Sequence, residues 1–215
     1  MGLTGIVAKP SKRDPGERAR QLVAAAHDLL DEEGLEGLTI QAVLERTGLA
    51  RRAFYDCFAG KDDLVLAVFE QSLRTAAARF AEQSAGGDPM AALRNIVTGI
   101  VLGRGDAASD ADGHVGRRGA ALSREHLRLA EARPADLQRA IRPLIEVIAA
   151  LLAQAMEQGQ VRKGAPDRLA MLVYNLVSTT THTELLAAES GGPGHDRRLQ
   201  LAEDIWQFCR RALEA

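Results

Sequence analysis

The chain has 215 residues, enough to bury one or two cores, with a formal net charge of −2 and two cysteines. Near-neutrality excludes a chain that is basic throughout. Cys57 and Cys209, with no C-x-x-C and no His/Cys cluster nearby, exclude a disulfide scaffold and a structural zinc site. No apolar run approaches a membrane span and residues 1–15 lack a signal-peptide core, so a cytoplasmic location and no membrane partner are expected.

Residues 1–15 hold Gly2, Gly5, Pro10 and Pro15 among scattered Lys and Arg, and read as a flexible basic arm. The first helix is expected from Gly16 to Glu33, with Leu22, Ala25, Ala26, Leu29 and Leu30 forming one apolar stripe and Gly34 ending it. A second helix carries Ile40, Val43 and Leu44 at helical spacing, until Thr47-Gly48-Leu49 interrupts it. Gly48 suits the left-handed backbone that stops one helix and redirects the chain. The third helix is short, with Arg51, Arg52 and Tyr55 on one side and Phe54 and Phe58 on the other. An apolar base beneath an exposed basic and aromatic face is what a DNA recognition helix needs. The first sixty residues carry eight Lys/Arg against nine Asp/Glu, so the cue is distribution rather than sum. Arg51, Arg52 and Lys61 gather around the third helix, whereas Asp28, Asp31, Glu32, Glu33 and Glu36 gather at the end of the first.

Beyond this head every segment reads as helix. A fourth is expected over Lys61–Gln83, with Leu64, Val68 and Leu73 inward, and Ser84 to Pro89 is the clearest boundary in the chain. Met90–Leu102 follows, with Leu93, Ile96, Val97 and Ile100 apolar. Residues 103–116 are rich in Gly and Asp and read as a loop. Asp106, Asp110, Asp112 and His114 within it miss the calcium-loop spacing, which requires a Glu at the twelfth position. Arg117–Ala132 is helical. Pro134 suits the first turn of the next helix, expected to reach Gln158 with a kink at Pro143. Pro166–Ala188 and His195–Leu213 form a last pair joined by Gly191–Gly194. The expected fold is all-α with nine helices. It divides into the arm (1–15), a helix-turn-helix head (16–60) and a C-terminal helical region (61–215) whose first helix, 61–84, links the two.

The segment from about residue 18 to 68 resembles the tetracycline-repressor (TetR) family of bacterial regulators. The resemblance rests on Leu38-Thr39-Ile40, on Val43 through Ala50 with its Thr-Gly turn, on Ala53-Phe54-Tyr55 followed by Phe58, and on Lys61-Asp62-Asp63-Leu64. It departs from the family pattern at Ala50 and Ala53, where hydroxyl residues are usual, and at Leu44, where Ala is usual. Ala50 removes the N-cap of the recognition helix, a loss of about 0.5–2 kcal/mol locally. The resemblance implies a homodimer on a double-stranded operator. The last two helices of each subunit would form a four-helix seam, the middle helices would enclose a small-molecule effector, and the fourth helix would join that cavity to the head. The arm is then either a loose terminus or a strand reaching for the DNA backbone or minor groove.

On this reading the DNA-binding residues are Thr39, Gln41, Ala50, Arg51, Arg52, Tyr55 and Lys61. Thr39 caps the second helix and also offers its hydroxyl to a phosphate. Lys61 opens the fourth helix, a poor place for a cation beside the helix dipole, which favours a phosphate contact. The effector cavity is expected to have walls of Ile96, Ile100, Leu122, Ile148, Leu152 and Met171, with His126, Tyr174 and Asn175 fixing the ligand. Few aromatics and no acidic cluster on these stripes suggest a neutral or anionic, partly apolar ligand rather than a flat cation. The run Ser178 to Thr183, His182 included, faces either a cavity or the dimer seam. Leu172, Leu176, Leu201 and Ile205 are expected at that seam. No G-x-S-x-G, H-E-x-x-H or P-loop occurs, and no nucleophile and base pair up. A ligand-responsive DNA-binding regulator is therefore expected, most simply a repressor, with no enzyme activity, metal or cofactor. The alternative is a helical protein–protein adaptor whose head no longer binds DNA.

Overall fold

Apolar periodicity becomes nine helices in the computed structural model, which describes residues 14–103, 117–189 and 195–214. They are α1 (Pro15–Gly37), α2 (Ile40–Thr47), α3 (Arg51–Tyr55), α4 (Lys61–Ser84), α5 (Pro89–Val101), α6 (Arg117–Ala132), α7 (Pro134–Glu157), α8 (Pro166–Glu189) and α9 (His195–Leu213). The basic arm, the Asp-rich loop and the Gly191–Gly194 connection lie outside the described residues almost entirely. Starts follow local chemistry. Pro opens α1, α5 and α7, where its missing N–H costs nothing. Asp88 caps α5 by accepting from Ala91 N at 2.7 Å.

Two expectations shift. Gly34 does break the first helix, at φ 73° and ψ −164°, but residues 35–37 add another helical turn before the chain leaves at Leu38. The helix α7 continues through Pro143 as one element.

The buried side chains form two clusters. Around α1 to α3 and the start of α4, Leu22, Ala26, Leu30, Leu38, Val43, Phe54, Leu64 and Val68 pack together, joined by Ala121 of α6. The larger cluster takes the rest of α4 with α5 to α9, and holds Leu93, Ile96, Leu129, Ile141, Ile148, Leu152 and Trp206. Leu122 packs against both clusters, and α4 contributes to both. The first turn of α4 is tied to the α6–α7 corner by ion pairs, Arg128–Asp62 at 3.3 Å and Arg133–Asp63 at 2.9 Å.

Candidate functional site

The head presents its chemistry on a rigid base. Phe54 is fully buried and packs edge-on against Tyr55, with ring centroids 5.4 Å apart, and against Phe58 at 5.9 Å. Helical geometry then turns the neighbouring positions outward: Arg51 and Arg52 are exposed, and Tyr55 keeps half of its surface in solvent. Other cations of the head are matched by acids. Arg46 makes a two-pronged pair with Glu32 at 2.6 and 2.8 Å, and Arg18 meets Asp56 at 3.5 Å. Arg51 and Arg52 have no such partner among the described residues.

The turn that aims this face is built as the sequence suggests. Gly48 sits at φ 67°, ψ 15°, and its N–H donates to Leu44 O at 2.9 Å. The Thr47 hydroxyl closes the last turn of α2 by donating to Val43 O at 2.8 Å. Thr39 caps α2, accepting from Ala42 N at 3.0 Å, and remains exposed. Gln41, also exposed, donates to Glu45 at 2.9 Å. Ala50 makes no side-chain cap, so the first N–H groups of α3 stay open. Lys61 is only partly exposed, and its Nζ donates to Leu35 O at 3.0 Å. The cation that ran against the dipole of its own helix thus satisfies a free carbonyl at the end of α1. Sequence offered no sign that positions 35 and 61 meet.

The second candidate site lies between α4, α6 and α8. Tyr174 is 3% exposed, and its hydroxyl oxygen lies 3.3 Å from His126 Nδ1; the O–H donates when that nitrogen carries no proton. The His126 and His182 rings are 4.5 Å apart between centroids, and Phe69 meets His126 edge-on at 6.1 Å. Burial holds both imidazoles neutral, pushing each down to about 4, and the neighbouring His126 adds to the effect on His182. The Tyr174 phenol is pushed up by the same burial. Buried Glu125 beside them accepts two hydrogen bonds from Arg128, at 2.7 and 2.8 Å, so its charge is matched.

The structure brings some expected ligand residues together and separates others. His126 and Tyr174 meet. Ile96, Ile148 and Leu152 are fully buried in the larger core, with Ile100, Leu122 and Met171 packed against it. Asn175 is exposed in this chain and does not join His126 and Tyr174. It shares the outer side of α8 with Leu172, Leu176 and Thr179, while Ser178, Thr181 and His182 point inward. On α9, Leu201 is partly exposed but Ile205 is 6% exposed and belongs to the chain's own core. Sequence reasoning missed Phe69 as a ring against His126, and it missed Phe208, 65% exposed on α9. Phe208 falls outside the stripe Ala202, Ile205, Trp206 and Cys209, which was the available signal.

Residues 22–68 match the family model for bacterial regulatory proteins of the tetR family. The HTH-type transcriptional regulator BetI of Stenotrophomonas maltophilia is 34% identical over 93 residues, 42% of this chain and 47% of that protein. The match thus spans about half the length of that relative. A TetR-family transcriptional regulator from Pectobacterium atrosepticum superposes with a TM-score of 0.73 at 19% identity, covering 95% of this chain and 98% of that one. FadR of Bacillus subtilis, in complex with stearoyl-CoA, gives 0.65 at 15% identity over 88% and 96% of the two chains. RolR in complex with resorcinol gives 0.66 at 16% over 92% and 93%. These likenesses show the fold, from the head through α9.

Proposed function

We propose that this chain, which belongs to the TetR family of bacterial regulatory proteins, is a homodimeric transcriptional regulator that a small molecule releases from a palindromic operator. The observation that carries the DNA half is the face of α3. Arg51 and Arg52 stand exposed and, among the described residues, without acidic partners, beside exposed Tyr55, on a helix anchored by fully buried Phe54. Free cations and a phenol on a rigid mount suit phosphates and base edges in a major groove. The same observation disfavours the adaptor, which has no need of unmatched arginines. Thr39, Gln41 and the uncapped N–H groups after Ala50 flank this face; Lys61 contributes by fixing α4 against α1.

Relatives with this fold are bound to resorcinol and to stearoyl-CoA. That supports an effector in the C-terminal helices here, with His126 and Tyr174 as its polar contacts. Exposed Leu172 and Phe208, with partly exposed Leu176 and Leu201, support a dimer seam along the outer sides of α8 and α9. Asn175 falls on that seam side. Ile205 supports the seam from beneath, as core. The test is fluorescence anisotropy of the full-length chain on duplexes from the DNA flanking its own coding sequence. Tight binding to one duplex, falling by about 10³-fold or more between 50 and 200 mM salt, is expected if six or more phosphates are contacted. Binding that ignores salt and sequence would contradict the assignment.

A further inference from the structure

Resting on the effector half of that reading and deepening it, we propose that His182, His126 and Tyr174, with the Phe69 ring against them, form the recognition site for a small uncharged aromatic ligand that carries a hydroxyl group. His182 is 9% exposed, and its Nδ1 is buried without a hydrogen-bond partner. Native interiors rarely leave such a nitrogen unpaired, and an unpaired one invites a ligand group. A second orphan lies on α4. Ser72 is buried, its hydroxyl has no partner, and it stands one turn from Phe69 on the same side of the helix. Elsewhere the chain settles such hydroxyls on the carbonyl one turn back, as at Ser84, Thr98, Thr180, Thr181 and Thr183. Ser72 does not.

Charge narrows the ligand class. Two imidazoles with centroids 4.5 Å apart disfavour a charge on both, and burial keeps each neutral near pH 7. Arg128, two residues from His126, is committed to Glu125 and is no free cation for a carboxylate. Glu125 is taken up by the same pair and is no free carboxylate for an ammonium. A neutral imidazole nitrogen is a donor or an acceptor according to tautomer, and a hydroxyl is both, so it satisfies His182 Nδ1 in either state. Rings favour a ring. Phe69, His126 and Tyr174 come from three different helices, with centroids 6.0 and 6.1 Å apart, and such edges and faces pack an aromatic body well. A ligand held this way touches α4, α6 and α8 together, and α4 runs directly to the head.

The test titrates the full-length chain with phenol, toluene and benzoate, followed by nitrogen-15 NMR of the imidazoles. Only five histidines are present, so the spectrum is small. Phenol is expected to shift the His182 Nδ1 signal and to bind about tenfold or more tightly than toluene or benzoate, the worth of one buried hydrogen bond. His182→Phe keeps a ring but no nitrogen. It should lose that margin for phenol while leaving toluene unchanged. His182→Gln and Tyr174→Phe carry the test if His182→Phe fails to fold. Benzoate or toluene binding as tightly as phenol, phenol binding that His182→Phe or His182→Gln leaves intact, or no shift at His182 would each overturn the proposal. Operator binding by ligand-free wild type and variant is measured alongside. Its absence would sink the DNA reading, while the imidazole titration would still decide the site.

Discussion

Arg52 and Tyr55 are exposed because Phe54, between them in sequence, is buried, and that division of labour separates affinity from stability. Arg52→Ala and Tyr55→Phe are expected to weaken binding to the true operator while circular dichroism stays unchanged. Where the lost contact reads a base, discrimination between operator variants should fall by about 1–3 kcal/mol. Equal affinity for both variants would count against α3 as the reading element. Ala50 gives a complementary forecast. Its backbone is already extended, at φ −70° and ψ 150°, and no side chain caps α3. Ala50→Ser should therefore raise stability by about 0.5–2 kcal/mol in a urea melt. No gain would mean that the first turn is satisfied in another way. Sequence made these side chains legible because the motif is local: a turn glycine, a buried ring and exposed neighbours lie within ten residues. Lys61 was harder. Its partner, Leu35 O, belongs to another helix, and no spacing rule reaches it.

At the scale of the helix, periodicity located every element among the described residues, but it did not tell inner from outer on α8. That helix is apolar on two sides. Ala170, Val173, Tyr174 and Val177 face the core, and Leu172 and Leu176 face out, so Leu and Val alone give no orientation. Asn175 adjoins Tyr174 in sequence, and as a polar residue on a helix expected to be buried it needs a partner. A rotation of about 100° per residue sets them on different sides. The two sides predict different phenotypes. Phe208→Glu and Leu172→Glu should produce folded monomers in sedimentation, since both residues are mostly exposed within one chain. Ile205→Ala should instead cost about 2–5 kcal/mol by opening the core, without selectively breaking the dimer. A Phe208→Glu protein that stays dimeric at micromolar concentration would move the seam elsewhere.

Across the whole molecule, α6 packs on α1 and α4 as well as on α7 and α8. It lends Ala121 to the head cluster, His126 to the ring cluster and Arg128 to Asp62 at the first turn of α4. The ion pairs of Asp62 and Asp63 are partly exposed, so each is worth about 1 kcal/mol or less in stability. Their position between the proposed effector site and the head suits them to bias two arrangements rather than to hold one. The buried histidines add a global pH dependence. Their folded values near 4 lie below the ordinary 6.5, so the unfolded chain binds more protons beneath pH 6.5. Stability should be full above that point and decline as pH falls towards 4, by on the order of 3 kcal/mol for one such histidine. Asp88 and Asp136 are also held below their ordinary value, and add a loss only at lower pH. Urea melts followed through Trp206, the single tryptophan, would check this, and a flat profile from pH 7 to 4.5 would contradict it. The His126–His182 contact was not legible in sequence, because 56 positions separate the two residues and only the packing of α6 on α8 joins them.

The central claim, that a dimer of this chain reads DNA through α3, is tested most directly by selecting duplexes from a random library with the full-length protein. A palindromic consensus is expected, its half-sites about 10–10.5 base pairs apart centre to centre, or a multiple of that spacing. An Arg51→Ala, Arg52→Ala double variant should enrich nothing. Enrichment of no sequence by the wild type, or of the same palindrome by the double variant, would contradict the claim.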